Sequence, residues 1–146
     1  MVAFKEECDS RADIVIDESD IENLKRAKAA IYAAAASLLK HMDLKFSGVD
    51  KIFIAGGFGT YIDVANAVGI GLLPDLDKKK FIFVGNSSLA GARQILLSSE
   101  ATKNAEDIAR KMAYCELSVE PAYMDEYMAA LFFPHTDLKL FPSVKI

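Results

Sequence analysis

The chain has 146 residues, 52% of them apolar and 26% charged, a balance that suits one folded domain and excludes a disordered tail. Its formal charge is −4, and its 17 basic residues are scattered rather than gathered into a stripe, which argues against nucleic acid as a partner. The longest near-apolar run, Ala29 to Leu39, is too short to cross a bilayer, and Met1 to Ser10 holds no apolar signal core, so a cytoplasmic protein with no membrane partner is predicted. Cys8 and Cys115 belong to no Cys-x-x-Cys pair and read as free thiols.

The first strong element is a helix from about Ile21 to Met42, where Ile21, Leu24, Ala27, Ile31, Ala34, Leu38 and Met42 recur at spacings of three and four. Ser19 to Glu22 fits a capping box that would place its start. The Ala33 to Ala36 run keeps the helix thin, which suits close approach of another backbone, of a flat ligand, or of ordinary core packing. Ile52-Phe53-Ile54-Ala55 then reads as a strand buried on both faces and closed by Gly56-Gly57. A helix from Asp63 to Gly69 follows and ends before Pro74.

Phe81-Ile82-Phe83-Val84 is a second buried-strand run, closed by Gly85 and followed by Asn86-Ser87-Ser88 and a helix from Leu89 to Leu97. Gly56 and Gly85 lie 29 residues apart, the length of one β-α-β unit with parallel strands ending at the same sheet edge. Ligands of open α/β sheets bind at that edge, and both strand ends here carry small residues. A further helix near Thr102 to Ala113, a strand over Cys115, Leu117 and Val119, and a helix begun by Pro121 complete the pattern. That last helix is expected to bury Tyr123, Met124, Tyr127, Met128 and Leu131. Leu138 to Ile146 is apolar enough to pack on something, and no linker divides the chain.

Ile54 to Thr60 is glycine-rich between a strand and a helix, where free amides can receive a nucleotide, or where a tight turn simply needs positive φ. It is not a P-loop, since no Gly-Lys-Ser/Thr follows. As a dinucleotide fingerprint it is poor, because Ile62 stands where the third glycine belongs. A flat adenine or ribose remains compatible with it. His41 and His135 are isolated from other plausible ligands; His41 suits a helix C-terminus as a cation. Tyr32 and the many phenylalanines read as core, and Lys78-Lys79-Lys80 as a solvated turn.

The chain resembles the C-terminal domain of the corrinoid reductive activators, members of the acetate kinase, sugar kinase, heat-shock chaperone and actin superfamily. The residues that carry the resemblance are Arg26 to Ile31, Ile54 to Gly59, Gly69 to Asp75, Gly85 to Arg93, Glu116 to Val119, and Met124-Asp125-Glu126 through Pro134-His135-Thr136-Asp137. It implies an α/β, ribonuclease-H-like half-domain, residues 1–146 forming the C-terminal lobe of an actin-like ATPase domain from a longer protein. It also implies that Gly56 and Gly57, with Phe58 and Gly59, form an adenosine motif in which main chain passes beside the purine. Lys25 and Lys28 are implied to flank the adenine, although as residues alone they also read as a solvated helix face. Asn86 and Ser87 match the turn after the second strand, and Gly91 a small residue that lets the next helix pack on the sheet.

The resemblance implies ATP as cofactor, with magnesium held by the other lobe: no Asp-x-Gly-Thr turn occurs in this sequence. The implied iron–sulfur cluster belongs to the full-length protein, because two cysteines cannot ligate one. Implied partners are the N-terminal lobe, the iron–sulfur domain, a corrinoid protein and a second copy in a homodimer. The implied activity is ATP-driven return of cob(II)amide corrinoid proteins to cob(I)amide, with no catalytic residue in this chain. Two other classes fit the residues: an assembly module without nucleotide affinity, and an enzyme on a dinucleotide-binding fold.

Overall fold

The computed structural model describes Val2, Glu6 and residues 13–145, without the side chains of Phe58, Thr60 and Ser118. Among the described residues, five α-helices and two strands follow in the order α1 (Glu18–His41), β1 (Ile52–Ala55), α2 (Val64–Gly69), β2 (Phe81–Gly85), α3 (Ser87–Leu97), α4 (Ser99–Lys111) and α5 (Pro121–Ala130). Cys8 lies outside the described residues, and Cys115 is a free thiol.

Helix α1 starts earlier than its sequence suggested. Asp17 is the N-cap: its carboxylate accepts from the Asp20 amide at 3.0 Å, and the Asp17 amide donates to the Asp20 carboxylate at 3.1 Å. An ionised aspartate is a stronger acceptor than the Ser19 hydroxyl, so the box forms two residues upstream of the expected one. Those hydrogen bonds, led by the Asp20 amide, hold the Asp17 carboxyl below its usual range. Glu22 instead pairs with Lys25 at 2.6 Å.

The face that α1 buries also differs. Lys28, Ala29, Tyr32, Ala33 and Ser37 turn inward, whereas Ile21, Leu24, Ile31, Leu38 and Met42 stay exposed. Small and aromatic residues win because α5 packs against them at close range, and alanines let the two backbones approach. The core gathers Ala29, Tyr32, Val68, Ala130 and Phe141. The Tyr32 ring lies tilted against two others, its centre 5.4 Å from that of Phe46 and 5.6 Å from that of Phe141. Burial of Phe141 contributes on the order of 1.5–3 kcal/mol, so the C-terminal segment packs on this chain's own core, although Leu138 and Leu140 remain exposed.

Strands β1 and β2 pair in parallel, Ile52 opposite Phe81 and Ala55 opposite Gly85, with a register shift between Ile54 and Ala55. The two apolar runs therefore share one sheet and end at one edge. They are not buried on both faces: Phe53 is 62% exposed and Phe83 44%. Helices α3 and α4 pack chiefly on each other, which leaves the sheet partly uncovered. Cys115 to Val119 forms no strand. A 3-10 turn spans Leu117–Val119, since these residues have no ladder partner among the described residues. Helix α4 begins at Ser99 because the Ser98 hydroxyl ends α3 and accepts from Ala101 at 3.2 Å. On α5, Met124 and Met128 face outward, and Tyr123, Tyr127 and Leu131 are half-buried. No helix among the described residues is long and apolar enough to cross a membrane.

Candidate nucleotide site at the ends of the parallel strands

The ends of β1 and β2 meet side by side, and the Gly56 amide donates to the Gly85 carbonyl at 2.7 Å. Gly56 sits at φ +89° and Gly85 at φ +62°, conformations that glycine adopts without the strain a side chain brings. Gly57 differs. Its φ of −62° and ψ of −34° suit any residue, and a Cβ built there meets nothing within 4 Å. Among the described residues, neither backbone nor packing requires glycine at position 57, so a side chain there would enter the open space above the corner.

Gly59 has a packing reason instead. A Cβ on it would stand 2.7 Å from Ile54 Cγ2, so the 3-10 turn Phe58–Tyr61 can fold back on β1 only without a side chain. The side chain of Phe58 lies outside the described atoms. Asn86 caps α3, its Oδ1 accepting from the Leu89 amide at 3.0 Å, and Ser87 opens that helix at the surface. The structure thus brings Gly56, Gly57, Asn86 and Ser87 to one edge. Gly91 is half-buried with no heavy atom within 4 Å of a built Cβ, so no close packing on the sheet explains it here.

The two lysines of α1 separate. Lys25 is partly exposed and bound to Glu22, with no bond to the glycine corner. Lys28 is fully buried, which corrects both expectations for it: it is neither solvated nor available beside a purine. Its Nζ donates to the Phe132 carbonyl and, at 2.7 Å, to the Pro134 carbonyl, and lies 5.2 Å from the centre of the Phe133 ring. The physical cause is the packing of α1 on α5, which carries the amine under the loop that leaves α5. Burial pulls the amine's pKa from 10.5 down to about 8, with Lys25 adding a smaller repulsion.

His135, opaque in sequence, closes the same loop. Its Nδ1 accepts from the Asp137 amide at 2.9 Å, which puts the ring proton on Nε2, facing Glu126 Oε1 at 3.2 Å. The ring lies 5.5 Å from Tyr32 and 6.1 Å from Phe141. Burial, then the charges of Glu126 and Asp137, push the Tyr32 phenol well above its usual range. Gly71, at φ +74°, packs so closely on Pro134 that a Cβ would overlap its carbonyl. The only sequence signal for this assembly is the run Pro134-His135-Thr136-Asp137, whose partners are far away in the chain. Among the described residues, no three His, Cys, Asp or Glu side chains gather as a metal site, and His41 stays exposed in the last turn of α1.

Known proteins resemble the chain over this whole architecture. It is 38% identical over 121 residues to the corrinoid activation enzyme RamQ of Eubacterium limosum, a match covering 83% of this chain and 20% of that protein. It is 32% identical over 99 residues to the [Co(II) methylated amine-specific corrinoid protein] reductase of Methanosarcina barkeri, covering 68% of this chain and 18% of that protein. A solved reductive activator for corrinoid, iron-sulfur protein superposes with a TM-score of 0.92 at 54% identity, over 98% of this chain and 23% of that one. The chain therefore spans about a fifth of the length of the relatives it matches. The family described as the C-terminal domain of RACo, the ASKHA domain, matches residues 1–145, and the chain, an α/β half-domain of actin-like type, belongs to that family.

Proposed function

We propose that this chain supplies the adenosine side of an ATP site within a longer reductive activator, which returns cob(II)amide corrinoid proteins to cob(I)amide. The observation that carries the reading is Gly57, a glycine that this chain's backbone and packing leave unexplained, at the shared edge of two parallel strands. Gly56 and Gly57 leave main chain bare for a purine and ribose, as an adenosine site requires, and Asn86 and Ser87 border the same edge. ATP, when bound, supplies the free energy of its hydrolysis. Magnesium and the phosphates fall to the other lobe, since no Asp-x-Gly-Thr turn occurs here.

Lys28 does not contact nucleotide in this reading; it fixes α1 to the loop after α5, so the helix moves with that loop as one body. Two cysteines do not fit an iron–sulfur cluster, so the electron that reduces cobalt comes from elsewhere in the longer protein. The names of the relatives support a corrinoid protein as partner.

The test is calorimetric titration of the full-length protein and its Gly57→Val variant with ATP and ADP. A fall in affinity of about tenfold or more, with unchanged melting, is expected, because the new side chain crowds only the ligand's space. Equal affinities would refute the placement.

A further inference from the structure

A groove with a volume of about 550 Å³ runs between α1 and β1. The side of α1 that carries Ile31, Ala35 and Leu38 forms one wall, and residues Lys51 to Ala55 form the other. Side chains of successive strand residues point to opposite faces of a sheet, so a run of consecutive residues lines one groove only where it follows the strand's edge. The groove therefore traces the side of β1 turned away from β2.

The main chain along that side is unpaired. Among the described residues, β2 is the only strand beside β1. The Gly56 amide donates to β2 at Gly85. The residue that shifts the register is Val84 of β2, because Phe83 and Gly85 stand opposite the consecutive Ile54 and Ala55. Alternation along β1 is thus unbroken, which turns the Ala55 and Phe53 amides toward the groove. Among the described residues, no backbone carbonyl outside the strand pair accepts from either one.

These features select the occupant. An apolar small molecule would fill the groove but leave the strand's donors and acceptors dry and unpaired, whereas an extended peptide satisfies both. Lys51 is the one charged residue of the lining, which matches a permanent seam better than a reversible contact. A bare strand edge beside the exposed Ile31, Leu38 and Phe53 is also a template for aggregation unless it is covered. Two parallel strands are too few to stand as a sheet. The chain spans about a fifth of the length of its relatives, so a longer polypeptide has ample chain to supply what is lacking.

We infer that an extended, apolar segment from the remainder of the longer polypeptide lies in this groove as a third strand, hydrogen-bonded at Phe53 and Ala55 and packed on Ile31 and Leu38. Its arrival buries the side of α1 that this chain leaves exposed. Because β1 runs directly into Gly56, the added strand also anchors the glycine corner to the rest of the protein. The inference rests on the placement of this chain within a longer protein, as in the reading above, and not on nucleotide binding.

The experiment uses the full-length protein. Hydrogen exchange resolved to single amides reads the strand edge, photo-cross-linking from a Phe53→p-benzoylphenylalanine variant identifies the occupant, and ATP affinity is measured alongside. The Phe53 and Ala55 amides are expected to exchange about a hundredfold or more slowly than unstructured amides. The cross-link is expected in an apolar segment of the same polypeptide outside residues 1–146. Exchange is read on the unaltered protein, so it decides the matter even where the variant misfolds. Free exchange at both amides with ATP affinity intact would overturn the third strand and leave the nucleotide reading standing. Cross-links that join two copies and vanish on dilution would overturn it in favour of a seam between copies. Protected amides in a protein that binds no ATP would support the third strand and overturn the nucleotide reading alone.

Discussion

Replacing Lys28 by methionine isolates an amine whose pH dependence can be worked out from its surroundings. Methionine keeps most of the aliphatic stem but leaves the Phe132 and Pro134 carbonyls without their donor. Each orphaned acceptor costs about 1–3 kcal/mol, and this is offset by removing a buried charge. A pKa drawn from 10.5 to about 8 corresponds to about 3 kcal/mol held against the charged form. The two effects nearly cancel, so the size of the change at neutral pH is a poor discriminator. The pH profile is a good one. The folded pKa lies below the unfolded one, so between about pH 8 and 10.5 the unfolded chain binds more protons and stability rises with pH. The penalty is fully present below about pH 8. From pH 8 to 10 the gain is about 2 kcal/mol; above pH 10 the raised Tyr32 phenol acts in the opposite sense. Calorimetric melting of the full-length protein at a series of pH values should show this rise in the parent and a flatter profile in Lys28→Met. Parallel profiles would refute the burial argument.

Three further outcomes follow from the geometry. Gly59→Ala should destabilise the domain by about 1–3 kcal/mol through the clash with Ile54, whereas Gly57→Ala should be neutral or stabilising by about 0.4–1 kcal/mol; melting temperatures in the reverse order would contradict the corner's geometry. His135→Phe keeps the ring beside Tyr32 and Phe141 but loses the bonds to Asp137 and Glu126. A loss of about 1–3 kcal/mol is expected, read as faster hydrogen exchange in α5 and the loop after it. The Asp17 cap has a lowered pKa, so its contribution is present above the ordinary aspartate range and lost as pH falls through the lowered folded value. Asp17→Asn should keep the cap and abolish that acid dependence of α1 hydrogen exchange.

Local chemistry determined the elements of this protein. Apolar runs ended by glycine gave β1 and β2 with their parallel pairing, because a strand, a crossover and a second strand of this spacing have few other arrangements. The motif pattern also carried the family, and Gly56, Gly57, Asn86 and Ser87 were legible as neighbours because each follows a strand end. Tertiary structure decided what spacing alone leaves open. Periodicity says that α1 is amphipathic, but the close approach of α5 chose the alanine and tyrosine face over the leucine face and drew Lys28 inside. An amine buried under a loop 104 residues away leaves no mark in a local window, since its partners are main-chain carbonyls that every residue possesses. The roles of Gly57 and Gly59 likewise divide only in three dimensions, where one faces open space and the other faces Ile54.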